Sequence, residues 1–186
     1  MLDTIIVFSM LLPRLFTFLV AFPAATTAVA QTHTVRVVRD VPYLQNAGYA
    51  DDKDKLDLYL PEGRSNAPVI VSYYGNQLMG GDKNEDAFIG HRFASAGFVT
   101  AVVNYRLSPG VSHPAHVQDA AASFAWVKRH IAEYGGNPDR IFIIGYSAGG
   151  YLAALLSTDR RYLAAHELSP RDIRGTVPVS AFYWVE

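Results

Sequence analysis

The stretch IFIIGYSAGGYLAALL, residues 141–156, decides how this chain folds. Ile141 to Ile144 form an apolar, β-branched run of the kind that becomes a strand covered on both faces. From Ala148 onward the residues are small or apolar with no polar break, which predicts an interior helix. Between the two, Gly145-Tyr146-Ser147-Ala148-Gly149 allows only a sharp turn, because side chains at the two glycine positions would collide with the neighbouring strand and helix. The pattern is G-x-S-x-G, with Ser147 at its apex. The helix that starts behind Ser147 presents free N–H groups and the positive end of its dipole, suited to a developing oxyanion. Residue types and spacing together point to a serine presented as a nucleophile, with Gly145 and Gly149 as the elbow glycines.

Moving outward, strand and helix patterns alternate. KLDLYL (55–60) puts Leu56, Leu58 and Leu60 on one face and Asp57 and Tyr59 on the other, predicting a half-buried strand. VIVSYY, FVTAVVNY and RIFIIG are nearly continuous apolar runs, suited to parallel strands buried on both faces. From Val117, apolar residues recur at Ala120, Ala121, Phe124, Val127 and Ile131, a helical stripe that Gly135-Gly136 can end, with NPDR turning the chain into the next strand. A shorter helix is predicted from about Glu85 to Ala96, stopping at Gly97. GTVPVSAF reads as a last strand in which Pro178 removes a ladder donor. Such alternation predicts an α/β fold, a mostly parallel sheet with helices on both faces.

Composition narrows the classes. Half of the residues are apolar, the formal net charge is −1 and there is no cysteine. No basic stripe exists for a nucleic acid, and no thiolate is available as nucleophile or zinc ligand. The histidines lack the H-E-x-x-H spacing of a metal enzyme, and GGDKNED lacks the Lys-Ser/Thr of a phosphate loop, so neither a metal nor another cofactor is expected. At the amino terminus, LFTFLVAF (15–22) followed by PAATTAVA and ending in Ala28-Val29-Ala30 reads as a signal peptide covering residues 1–30. Pro13, Arg14 and Pro23 interrupt it, against a stable membrane span. MLLPR supplies a positive charge if translation starts at Met10. The expected division is a signal peptide over 1–30, cleaved near Ala30 during export, and an α/β domain over 31–186.

The stretch from NYRLSPGVSHPAHVQDAAASFAW to GYSAGGYLAALL, with KLDLYLPEG and GGDK before it, resembles the α/β-hydrolase esterases of the hormone-sensitive-lipase-like and BD-FAE (feruloyl-esterase-like) group. The resemblance runs from about Val41 to the C-terminus and reaches the sixth of that fold's eight strands, so residues 31–186 are expected to form a partial α/β-hydrolase domain. It implies a carboxylic-ester hydrolase that takes a small acyl or aryl ester, with Ser147 as nucleophile and an acyl-enzyme intermediate. It aligns Tyr74 with the group's oxyanion-loop histidine, and Gly75, Asn76 and Gln77 with the three glycines after it. Gly75, Asn76 and the N–H of Ala148 are the expected oxyanion hole. Asn tolerates left-handed backbone angles; Gln77 has no such tolerance.

In that group the acid and histidine of the triad follow the seventh and eighth strands, beyond the reach of this sequence. His113 and His116, at the carboxyl edge of the sheet, are the candidates for a surrogate base. His33, His91, His130 and His166 read as solvated. Asp119 is expected to pair with Arg106, and Asp82 to hold the oxyanion loop or start the next helix. Three readings stay open: an ester hydrolase of which these residues are the N-terminal part, weakly active or inactive by itself; an arylformamidase-like amide hydrolase sharing the elbow; and a binding protein without catalysis. Self-association through an exposed C-terminal sheet edge is a further expectation.

Overall fold

The computed structural model describes residues 32–44, 49 and 51–182. The expected signal peptide, its cleavage site and the start at Met10 lie outside the described residues. Six strands form one sheet in the order β1-β2-β4-β3-β5-β6: β1 (Val35–Pro42), β2 (Lys55–Pro61), β3 (Ala67–Tyr73), β4 (Val99–Val103), β5 (Gly136–Tyr146) and β6 (Gly175–Val179). β1 and β2 run antiparallel to their neighbours, while β4, β3, β5 and β6 are mutually parallel. Helix α1 (Ala87–Ser95) covers one face; α2 (Ala115–His130), α3 (Ala148–Thr158) and the short α4 (Arg160–Ala164) lie on the other. No described helix is long and apolar enough to cross a membrane.

The main core lies between the sheet and α2 and α3, where Leu56, Leu58, Val71, Ile141, Ile143, Phe124 and Leu152 are sealed from solvent. Small residues at Ala120, Ala121 and Ala153 let the helices settle close to the strands, and burial of each large side chain contributes about 1.5–3 kcal/mol. Two sequence expectations need correction, and one strand is new. KLDLYL is buried on both faces: Tyr59 packs with Ala94 and Val102 beneath α1, and Asp57 accepts salt bridges from Lys83 at 2.8 Å and Arg39 at 3.1 Å. An Asp inside a sheet reads as a solvent face only until its partners, supplied from elsewhere in the chain, are known. NPDR interrupts a strand: β3 pairing passes from Ala67–Gly136 straight to Val69–Ile141, so residues 137–140 bulge out of the ladder. β1 escapes the periodicity because Asp40, at φ 56°, sits in a bulge that breaks its alternation.

Candidate active site

Ser147 stands where β5 ends and α3 begins, at φ 51° and ψ −114°. A non-glycine residue there costs about 1–3 kcal/mol, offset by the contacts around it. Its N–H donates to Val179 O at 2.8 Å, tying the turn to β6, and its carbonyl accepts from Tyr151 N–H at 3.0 Å in the first turn of α3. A Cβ at Gly145 would overlap the Gly149 carbonyl, and one at Gly149 would overlap the carbonyls of Tyr73 and Tyr74 at the end of β3. The helix thus crosses the strand ends at backbone contact, which fixes where Ser147 emerges.

The loop leaving β3 approaches from the other side. A Cβ built on Gly75 would lie 3.2 Å from Ser147 Cβ and 3.0 Å from Tyr146 O, so the chain passes the serine with no side chain between. Asn76, Gln77 and Leu78 follow at φ 73°, 56° and 63°, three left-handed non-glycine residues in a row. Each costs roughly 1–2 kcal/mol. The sequence placed the strain at Gln77 but gave no sign of it at Leu78. Asn76 O closes the loop by accepting from Met79 N–H at 3.0 Å and Gly80 N–H at 3.3 Å. The N–H groups of Gly75, Asn76 and Ala148 donate to no acceptor among the described residues.

Beyond the loop, Asp82 is an anchor. One carboxylate oxygen accepts from Lys53 Nζ at 3.3 Å and Asn104 Nδ2 at 3.0 Å, the other from the Asn84 amide at 2.9 Å. Hydrogen bonding from Asn84, Asn104 and Lys53 outweighs its burial and holds its carboxyl below the usual carboxylate range. The helix start belongs to Asp86 instead.

The histidines are engaged elsewhere, and Ser147 Oγ has no hydrogen-bonding side chain among the described residues. His116 is buried, with Nε2 3.1 Å from Ser108 Oγ and Nδ1 without a partner among the described residues. Burial pulls its pKa below the ordinary imidazole value. His113 places Nε2 3.3 Å from the Tyr162 hydroxyl, in a cleft of about 340 Å³ that Arg161 and His166 also line and that contains no elbow residue. Of the four expected to be solvated, only His91 is exposed; His130 stacks on Trp126 at 4.8 Å, and His33 and His166 are half-buried. Asp119 pairs with Arg106 through both carboxylate oxygens, at 2.8 and 2.6 Å, and also takes the Arg106 backbone N–H at 2.9 Å.

A second cleft, about 250 Å³, adjoins the elbow and shares Gly75, Gly145 and Tyr146 with it. Phe88, Ile89 and Val179 make most of its wall apolar, and Asp86 sits at its edge. An apolar recess beside the half-buried Ser147 and a set of unpaired amides is suited to an acyl group whose carbonyl oxygen becomes anionic.

The strand order, the strained serine between β5 and α3 and the glycine contacts around it define an α/β-hydrolase. The BD-FAE family model matches residues 56–170, and the chain belongs to that family. It is 38% identical over 121 residues to LipM of Mycobacterium tuberculosis, a probable carboxylic ester hydrolase, covering 63% of this chain and 28% of that protein. It is 36% identical over 116 residues to a probable isoprenylcysteine alpha-carbonyl methylesterase, ICMEL1, of Arabidopsis thaliana, covering 61% and 24%. Among solved structures, esterase B of Lactobacillus rhamnosis superposes with a TM-score of 0.66 at 27% identity, over 76% of this chain and 45% of that one. The matched region spans about a quarter of each of these curated relatives and under half of the solved esterase.

Proposed function

We propose that this protein serves the hydrolysis of carboxylic esters, with Ser147 as the nucleophile. Ser147 Oγ attacks the ester carbonyl carbon, its proton passes to a base, and the carbonyl oxygen becomes an oxyanion held by the amides of Gly75, Asn76 and Ala148. The C–O bond then breaks, the alcohol leaves with a proton, and water releases the acid from the acyl-serine. The observation that supports this is the pairing of a strained Ser147 with Gly75 laid against it and three amides lacking acceptors among the described residues. The elbow cleft fits a small acyl or aryl group. Since neither His113 nor His116 bonds to Ser147, the reading assigns the base and its acid to the part of the relatives' length that this chain does not span. Within these residues the serine is therefore presented but weakly activated, as removal of the histidine from a working triad costs on the order of 10⁶ in kcat.

The reading extends to an exported protein with residues 1–30 as leader, and to self-association through β6. Its test is incubation of the purified chain with p-nitrophenyl acetate and mass analysis of its peptides. Slow acetylation of Ser147, lost in Ser147→Ala, is expected; acetylation spread over other residues with none at Ser147 contradicts it. An arylformamidase-like activity uses the same elbow, and the relative rates on an aryl formamide and an aryl ester separate the two. Binding without catalysis is favoured by Asn76 and Gln77 standing where the resembled group has glycines, and there Ser147→Ala leaves ligand affinity unchanged with no acyl-enzyme formed.

A further inference from the structure

Tyr105 follows β4, is fully buried and stacks on Tyr74 with ring centroids 4.4 Å apart and planes 18° apart. Its hydroxyl donates to Tyr74 O at 2.8 Å and lies 3.3 Å from Gly75 O. These are the carbonyls of the two peptide units whose N–H groups belong to Gly75 and Asn76. In a trans peptide the N–H points opposite to the C=O. A single hydroxyl that holds both carbonyls on one side therefore turns both N–H groups to the other, away from Tyr105. The next residues cannot set this orientation through their own preferences, because Asn76, Gln77 and Leu78 all occupy left-handed angles that such residues avoid. The far end of the loop is tied to the same segment: Ser108 N–H donates to Leu78 O at 2.7 Å, and Ser108 Oγ lies 3.1 Å from both Val111 O and His116 Nε2.

We infer that Tyr105 is a positioning residue that aims the Gly75 and Asn76 amides at the acyl oxygen, with Ser108 and His116 bracing the other end of the loop. The inference rests on the reading of that loop as the oxyanion hole. Tyr105 touches no reacting atom; it acts through two carbonyls. Burial pushes its phenol well above the ordinary range, so the hydroxyl keeps the proton it donates. His116, considered from the sequence as a base, has a different task here: its ring nitrogen holds Ser108.

Tyr105→Phe tests this, because it removes the hydroxyl and keeps the stacked ring. Two readouts are taken: the amide NMR signals of Gly75 and Asn76, and the inactivation of Ser147 by a fluorophosphonate, resolved into kinact and KI. The amide signals of both residues should move while those of Val99 to Val103 stay, and the melting temperature should fall only by the small amount that one lost buried hydrogen bond costs. Outright loss of an oxyanion donor costs about 10²–10³ in rate, so misaimed donors should lower kinact about tenfold or more while KI stays constant. Unmoved Gly75 and Asn76 signals overturn the inference, as does an unchanged kinact. If Ser147 labels in neither protein, the reading of Ser147 as nucleophile fails, and the amide signals alone decide the role of Tyr105. Should the variant not fold, the unsubstituted chain decides: magnetisation transfer between the Tyr105 ring ε protons and the Gly75 α protons is expected, and its absence overturns the inference.

Discussion

Ser147 and Gln77 occupy left-handed backbone angles for different reasons. At Ser147, φ 51° is fixed by backbone contacts at Gly145 and Gly149, and the strain lifts the hydroxyl from the sheet edge. At Gln77, φ 56° occurs in an exposed loop where no contact of its side chain explains the choice of residue. Gln77→Gly should therefore stabilise the fold: relief of about 1–2 kcal/mol of strain exceeds the roughly 0.5–1 kcal/mol of extra chain entropy that glycine loses. The net of about 0.5–1 kcal/mol corresponds to a rise of about 2–3 °C in a thermal melt. A lower melting temperature would show that the side chain is in use. Gly149→Ala should act in the opposite sense, since its Cβ meets two backbone carbonyls that cannot swing aside. A loss of about 3 kcal/mol or more in denaturant unfolding is expected; a loss below 1 kcal/mol would mean that α3 can back away from β3. Such glycines are legible in a sequence because a forbidden side chain leaves a mark. The strain at Leu78 is not, because leucine is an ordinary loop residue until its φ is known.

Among elements, the segment from Tyr105 to the first turn of α2 is hydrogen-bonded to both ends of the loop that follows β3. It holds His116 in a pocket where burial, aided by Arg106 and His113 and opposed by Asp119, keeps the ring neutral. The unfolded chain takes up a proton near the ordinary value of about 6.5, and the folded chain resists it. Below that value the unfolded state binds more protons, so this contribution to stability is present above it and lost as pH falls. The melting temperature should drop between pH 7.5 and 5.5, and His116→Gln should drop less. Half-buried His166, lowered by burial and by Arg129, supplies part of the remaining slope. An equal slope in the variant would contradict the buried, neutral ring. Helix α2 was legible from its apolar period, and α3 and the buried parallel strands from their continuous apolar runs, because both patterns come from packing on one sheet. The short α4 (Arg160–Ala164) carries neither pattern and was not legible. β1 was hidden by its bulge, and the burial of Asp57 by partners far along the chain, Lys83 and Arg39, that no local pattern announces.

For the molecule as a whole, coverage of the two sheet faces is unequal. α3 packs over β5 and β6 on one side, while Phe142, Ile144 and Tyr146 of β5 and Val177 and Val179 of β6 point to the other. There Tyr146 is 60% exposed and Val177 53%, although their neighbours in the sheet interior are sealed. β6 also pairs on one side only among the described residues. Apolar surface of this kind next to an open strand edge favours association. Sedimentation velocity should give a weight-average mass that grows with concentration, and Val177→Lys with Val179→Lys should return it to the monomer. A wild-type monomer at every concentration would rule out this edge as a contact.

At the same scale, β3, β5 and α3 bring Ser147 together with the amides of Gly75, Asn76 and Ala148, and no histidine hydrogen-bonds to Ser147 among the described residues. The proposal that Ser147 is a nucleophile stands on this arrangement. Fluorophosphonate labelling of the purified chain, read by peptide mass analysis with Ser147→Ala as control, tests this most directly. Slow modification confined to Ser147 and lost in the control is the expected result. No modification of Ser147 in a chain whose melt shows it to be folded would contradict the claim that this turn presents a nucleophile.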